Sequence, residues 1–344
     1  MSDYQKTKIG YYSGNLDGHR ASYLEFVKSN FEGERLAAKQ LFLHKGPVFF
    51  LMIEDNFALY FIVSIFRILI GKRTVGLLFR PKPAVIANSL RLKLKKFALK
   101  LLKLFSNVQT ISIVPTTLEP KIIEIVDGWI YDFQLWDISL KQKKQANEIN
   151  YLFKQNDHIV FEKYKILKLI CDKNKTNKKI LIALGAQNIG KGTELLANSM
   201  NQINNADYFV VVAGKFSEDI NQSKSIIENN GGLVFDRYIS DDEILALYAI
   251  SDSVWCFYDP SYDQASGILG RAIQFGIQPI VREGSISHLL CEQQMLNYVS
   301  VRNSDDIELK LNNINMKYYQ DSDNTEVYKT LSESTLRIAL GLEE

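Results

Sequence analysis

Residues 185–196, GAQNIGKGTELL, follow an apolar run and lead into an amphipathic stretch. Free backbone N–H groups and the positive end of a helix dipole would meet there, so an anion can settle. Gly185, Gly190 and Lys191 match the first seven positions of a P-loop, G-x-x-x-x-G-K. The eighth fails, because Gly192 stands where Ser or Thr would hold magnesium and Thr193 is one place late. No strand ends in a Walker-B type acid either, since YFVVVAG at 208–214 runs into Gly214. A phosphate site of another kind, a true P-loop and a lysine in an ordinary turn all remain open on spacing alone. In DPSYDQASGILGRAIQFGIQPIV (259–281), Ser266, Gly267 and Ile268 open a second helical segment, and small residues there suit a phosphate at a helix N-terminus. Arg271, one turn inside, can close on a diphosphate bidentately or serve as an ion-paired helix residue. Near the N-terminus, Gly18-His19-Arg20 begins another helix. The glycine permits close approach of a ligand, and an imidazole with a pKa of about 6.5 can do acid/base or polarising work, or simply cap the helix. Arg80, in FRPKP, follows a strand and is a weaker candidate for the same cleft.

These groups need elements to hold them. Lys8–Tyr12, a glycine-bearing turn and Arg20–Asn30 read as the opening of a βα unit. Val48–Ile53, Thr74–Phe79, Thr110–Val114 and Gly128–Phe133 read as strands, with helices over 57–70 and 89–105. A second series follows the polar string CDKNKTNKK: Ile180–Leu184, Tyr208–Ala213, Gly232–Phe235, Ser253–Phe257 and Gln278–Val281. Strands alternating with helices imply parallel sheets covered on both faces. The expected organisation is an N-terminal Rossmann-like domain over 1–165, a linker over 166–178, a second Rossmann-like domain over 179–322 and a terminal helix over 323–344 packing back towards the first.

The composition is globular: 344 residues, 46% hydrophobic and 23% charged. Three widely spaced cysteines, Cys171, Cys256 and Cys291, form no C-x-x-C pair, which argues against a zinc site or disulfide framework and for a reducing cytoplasm. The polar N-terminus has no signal-peptide core. The longest apolar run, Phe57–Ile70, contains Arg67 and is too short to span a membrane, so it reads as a buried helix. The net charge of +2 is a cancellation, with +11 over residues 1–170 and −9 over the remainder. Between Asp55 and Glu119 there are eleven Lys and Arg and no acid. Within it, SLRLKLKKFALKLLKLF sets leucines and a phenylalanine at helical spacing among lysines, a pattern for an anionic membrane surface through residues 89–105 or for a core helix with a solvated face. No nucleic-acid-binding module accompanies the charge.

Taken in order, LIALGAQNIGKGTELL, YFVVVAG, FDRYISDDEILALYAISD and SYDQASGILGRAIQFGIQPIV resemble the donor-binding domain of retaining GT-B glycosyltransferases of family four (glycosyl transferases group 1). The resemblance implies an α/β GT-B fold, two Rossmann-like domains facing each other across a cleft, and transfer from a UDP- or GDP-sugar to a glycan or lipid-linked acceptor. It implies no metal and no cofactor, with bacterial surface polysaccharide or glycoconjugate synthesis as the setting and the inner face of the plasma membrane as the place. By the same resemblance Lys191 meets the donor diphosphate with Gly185, Gly190, Gly192, Ser266, Gly267 and Ile268 around it. Arg237, Tyr238 and Ile239 form the base-contacting loop, Asp263 holds hydroxyls of the donor sugar, and Gly18 and His19 approach from the other domain. In the helix after that loop, Asp241 or Asp242 is the expected N-cap.

Two departures stand out. The family's Arg after the first strand is replaced by Ala186 or Gln187, and the second acid of its Glu-x(7)-Glu pair is Arg271. Arginine has donors and no acceptor, so it cannot bond ribose hydroxyls as an acid would, but it can supply positive charge at the diphosphate. A non-catalytic GT-B subunit that binds a partner, and less so a P-loop NTPase, are the alternatives.

Overall fold

The computed structural model describes residues 8–14, 19–312 and 324–342, and divides into two compact units, one running to Trp136 and including the C-terminal segment from 323, the other spanning Asp137–Ser322. Each is built on a six-stranded parallel sheet.

The first unit contains β1 (Ile9–Tyr12), α1 (His19–Asn30), β2 (Gly33–Arg35), β3 (Val48–Phe50), α2 (Phe57–Leu69), β4 (Thr74–Leu78), α3 (Pro81–Ile86), α4 (Leu90–Leu102), β5 (Val108–Ser112) and β6 (Gly128–Trp129). Strand order is β2-β1-β3-β4-β5-β6, so the direction of winding reverses between β1 and β3. The central strands VFF and TVGLL are buried throughout, as continuous apolar runs in a parallel sheet must be. Gly76 in β4 is required: a Cβ there would stand 2.5 Å from Ile53 and 2.7 Å from Tyr60.

Arg67 is the unusual member of this core. Its side chain is fully buried and, among the described residues, is met by no carboxylate; instead Nε donates to Thr74 Oγ1 at 3.2 Å, and the two terminal nitrogens donate to the carbonyls of Leu41, His44, Gly46 and Arg73 at 2.7–3.0 Å. Burial pulls its pKa down to about 10, which still leaves it charged at neutral pH. One guanidinium thus pins the 41–46 loop to the β4 edge.

The second unit contains α5 (Leu140–Lys154), α6 (His158–Lys163), α7 (Lys165–Lys173), β7 (Lys179–Leu184), α8 (Thr193–Asn198), α9 (Met200–Asn205), β8 (Tyr208–Ala213), α10 (Asn221–Asn229), β9 (Leu233–Phe235), α11 (Asp241–Ile250), β10 (Ser253–Cys256), α12 (Gly267–Gln274), β11 (Gln278–Arg282), α13 (Ile286–Gln293), β12 (Val299–Val301) and α14 (Ile307–Asn312). The order β12-β11-β10-β7-β8-β9 reverses between β7 and β10. Its core joins Leu181, Val210, Val212, Trp255 and Ile280 from the strands to Leu196, Met200 and Ile227 from the helices.

The last helix, α15 (Thr325–Leu340), packs in the first unit. Arg73 donates to the carbonyls of Ile338 and Ala339, capping its negative end, and Ser332 Oγ accepts from Tyr131 N.

Several expectations need correction. The division falls at Trp136/Asp137, not near 165, and 166–178 is no linker: α7 buries Ile166, Leu167 and Ile170. The strand expected over Gly128–Phe133 stops at Trp129, because Asp132 turns the chain by accepting from Gln134 N and Tyr23 Oη. The helix over 57–70 is buried on one face only, since Ile62 and Leu69 are exposed while Tyr60, Val63, Ser64 and Arg67 are enclosed. Ser240, not Asp241 or Asp242, caps α11 in a reciprocal capping box with Glu243.

Candidate functional site

In an open parallel sheet the loops after neighbouring strands part where the winding reverses, and ligands bind in the crevice at the strands' carboxyl ends. In the second unit that place lies between the loop after β7 and the loop after β10, which are the two strings singled out above.

Backbone geometry fixes the first loop. Gly185 has φ +86° and Gly192 φ +67°, left-handed values that favour glycine, and a Cβ on Gly192 would stand 2.2 Å from the Phe257 carbonyl oxygen. Gln187 is buried; its backbone bonds Lys215 and Ser217, and its side chain accepts from Thr193 Oγ1 at 2.9 Å. Thr193 is therefore fully enclosed and spent on the loop, which removes the hydroxyl a P-loop would offer magnesium. Gln187, one of the two residues weighed in place of an Arg after the first strand, thus has a structural task of its own. Asn188 caps the short turn by accepting from Lys191 N at 3.1 Å.

Lys191 is held by aromatic faces. Its Nζ lies 4.7 Å from the Tyr258 ring centre and 5.8 Å from that of Tyr262, both from the loop after β10. The loops are locked together by Asp259 N donating to the Gly190 carbonyl at 3.0 Å, and Tyr262 packs so tightly on Gly190 that a Cβ there would come within 2.8 Å. Tyr258 is buried, which pushes its phenol pKa well up, and its hydroxyl hydrogen-bonds Ser266 Oγ. Ser266 is the N-cap of α12 and accepts from Leu269 N at 3.3 Å. Lys191, Tyr258, Ser266 and the first turn of α12, with Gly267 and Ile268, form one connected arrangement: a cation beside a helix N-terminus.

Two expected members are engaged elsewhere. Arg271 donates from Nε and Nη2 to Asp137 Oδ2 at 3.1 and 2.7 Å, and Gln274 Nε2 reaches Asp137 Oδ1 at 3.0 Å. Burial works against the charge on Arg271, but Asp137 outweighs it and its pKa is raised. Its guanidinium ties α12 to the first residue of the unit instead of standing open to a diphosphate. Asp263 is likewise engaged within the unit. Its side chain is 2% exposed, with Oδ2 accepting from Arg282 Nη2 at 3.1 Å and Oδ1 from Ile286 N at 2.9 Å, so both oxygens help to anchor α13.

In the base-loop candidate, Ile239 is buried, whereas Tyr238 is 81% exposed and available as a stacking face. Arg237 makes a double hydrogen bond to Glu243 at 2.6 and 2.9 Å. That bond, opposed by burial, draws the Glu243 pKa down to about 2. A depressed carboxylate pKa stabilises the fold above the unfolded value of about 4.3, and that contribution fades as pH falls towards 2. Glu243→Gln is therefore expected to flatten the acid limb of a Tm-against-pH curve between about pH 4.5 and 2 while changing little at pH 2.

Gly18 lies outside the described residues, and His19 is placed only as the first residue of α1. Arg80 follows β4, where its backbone N donates to Glu54 Oε1 at 2.7 Å. Glu54 itself was missed; the available signal was an acid closely following a buried apolar strand. Among the described residues no group of three His, Cys, Asp or Glu side chains is arranged for a metal.

The segment 89–105 forms α4, and its apolar residues do not all face inward. Leu99 and Leu102 are buried, but Leu90 (74% exposed), Leu94 (61%) and Phe97 (67%) recur at helical spacing on the face pointing away from the core. Lys96 and Lys100 pair with Glu124, while Arg91 and Lys93 are exposed beside the stripe. No helix among the described residues is long and apolar enough to cross a membrane.

No protein-family model matches the sequence, and no curated protein does. Solved structures do match in fold. The chain superposes on a glycosyltransferase from Rickettsia africae with a TM-score of 0.57 at 12% identity, covering 98% of this chain and 99% of that one. Anabaena Alr3699/HepE, solved with UDP and glucose and with UDP-glucose, gives 0.58 at 10% identity, over 98% of this chain and 97% and 96% of the other. Thermosynechococcus elongatus sucrose-phosphate synthase gives 0.55 at 11% identity, over 98% and 97%. The fold is thus GT-B.

Proposed function

We propose that this chain is a retaining, metal-independent glycosyltransferase that takes a sugar from a UDP- or GDP-sugar and passes it to a glycan or lipid-linked acceptor, in surface polysaccharide or glycoconjugate synthesis at the cytoplasmic face of a membrane. The observation that carries it is the meeting of Lys191 with the Ser266-capped start of α12 at the winding reversal of the second unit. Negative charge builds on the leaving diphosphate as the glycosidic bond breaks. A cation and a helix N-terminus fixed beforehand stabilise that charge without reorganising, and need no metal. Tyr238 offers its exposed ring to the base, Gly18 serves donor binding and His19 acts near the reacting centre, and the outward stripe of α4 rests on an anionic membrane surface. UDP-glucose bound by HepE supports a nucleotide-sugar donor.

The test is release of nucleoside diphosphate from a panel of UDP- and GDP-sugars. Lys191→Ala is expected to lower kcat/KM about 100-fold with an unchanged Tm. Equal turnover in the variant would remove Lys191 from the site.

One observation favours a second reading, a non-catalytic GT-B subunit: Arg271 and Asp263 are both committed to internal ion pairs. Absence of turnover and of nucleotide binding across the panel would select it.

A further inference from the structure

At the amino ends of the second sheet, on the side away from Lys191 and Ser266, lies a cleft of about 1140 Å³. Its walls come from the starts of β7, β8 and β11, from the last turns of α5, α7, α11 and α12, and from the loop after α13. Helices that end together present unpaired carbonyls and the negative ends of their dipoles. The charged side chains of the cleft answer these or one another's backbone. Lys178 Nζ donates to the Asn204 carbonyl at 3.1 Å, Lys179 Nζ lies 5.6 Å from the Tyr208 ring centre, and Lys154 is the cation of the last turn of α5. Asp252 Oδ2 accepts from Ile180 N at 2.7 Å. Charge committed in this way does not select an ion.

The groups left over are amides. Among the described residues the side chains of Asn150 and Asn177, both lining the cleft, make no hydrogen bond. Gln278 Nε2 donates to Asn297 Oδ1 at 2.9 Å, which leaves the Gln278 carbonyl and the Asn297 NH2 group for a ligand. Each amide pairs a donor with an acceptor, which suits neighbouring hydroxyls that both give and take hydrogen bonds. Phe153 follows Asn150 by three positions on the same face of α5 and is half-buried, and Ile273 and Leu296 add apolar lining. Sugar rings carry hydroxyls at their edges and C–H groups on their faces, so amides beside an aromatic ring match both. Pockets for single small ligands run to about 1,000 Å³. A larger cleft with its amides spread over three separate segments fits a chain of rings better than one nucleoside. Met295 stands at its rim, 81% exposed and with φ +52°, at a position after a helix where glycine is usual.

We infer that this cleft binds a neutral oligosaccharide chain, with Asn150, Asn177, Gln278 and Asn297 bonding its hydroxyls and Phe153 lying against a ring face. The cleft shares no residue with the donor site, so this assignment stands or falls apart from the nucleotide-sugar reading.

The experiment is saturation-transfer NMR of the full chain with maltohexaose, cellohexaose and mannohexaose, with glucose and mannose as single rings and uridine as a nucleoside. One hexaose is expected to bind about tenfold more tightly than its own monosaccharide. Asn150→Leu combined with Asn177→Gly removes two amides while keeping the helix and the left-handed turn, and it should cost about tenfold in affinity at unchanged Tm. Met295→Gly should raise Tm and weaken binding together, an opposition that general destabilisation cannot produce. Saturating UDP should leave the oligosaccharide in place. Absence of binding by all three hexaoses, or full affinity in the double variant at native Tm, would overturn the site. Displacement by UDP would move the chain to the donor crevice and overturn it too, and uridine bound in preference to every hexaose and lost in the double variant would make the cleft a nucleoside site instead.

Discussion

Arg67→Ala is expected to destabilise the first unit by about 4 kcal/mol or more, a large part of the 5–15 kcal/mol that holds an ordinary domain together. The substitution removes a donor from four carbonyls and a threonine hydroxyl; the bonds to the Leu41 carbonyl and the Thr74 hydroxyl are buried, the other three are partly buried, and the Arg73 carbonyl keeps Val48 N. Each orphaned buried acceptor costs about 1–3 kcal/mol, and the cavity adds to that. Arg67→Met separates the two effects because it restores most of the volume and none of the donors. If hydrogen bonding dominates, Met will recover only a minor part of the loss in a urea titration of the first unit's transition. An Ala variant within 1 kcal/mol of wild type would show that these carbonyls find water or other partners.

The second large effect concerns Arg271. Arg271→Glu would set a carboxylate against Asp137, whose side chain is 6% exposed. Breaking a buried ion pair by removing one partner costs about 3–5 kcal/mol, and opposing like charges place this variant at the upper end of that range. Arg271→Ala should cost less, because Gln274 still donates to Asp137. The double change Arg271→Glu with Asp137→Arg should recover much of the loss in Tm. A stable, active Arg271→Glu would instead show that Asp137 readily changes partner.

That contrast shows where sequence reading reaches and where it stops. The second unit was legible because parallel strands buried on both faces are unbroken apolar runs, and because Gly185, Gly190, Lys191, Ser266 and Gly267 carry their constraint in local spacing. Edge strands β2 and β12 were missed: GER is wholly exposed and VSV is three residues long, so neither has a period to detect. The unit boundary was misplaced because 137–178 is fixed by packing against distant elements, as Asp137 is by Arg271 and Gln274. Asp263 was assigned by its place in a motif, but its fate depends on Arg282, 19 positions away. Arg67 marked a break in an apolar run, and nothing local told of the loop carbonyls it would collect. Side-chain partners chosen across long sequence separations are what the one-dimensional pattern lacks.

On the proposed reading, the second unit binds a nucleoside diphosphate through Lys191 and the start of α12. Calorimetric titration of wild type and Lys191→Ala with UDP, GDP and the matching nucleosides tests it most directly. One of the two diphosphates should bind the wild type at least tenfold more tightly than its nucleoside, and Lys191→Ala should erase that difference. If neither diphosphate binds the wild type, or if the variant keeps the full difference, Lys191 and the start of α12 are not a diphosphate site.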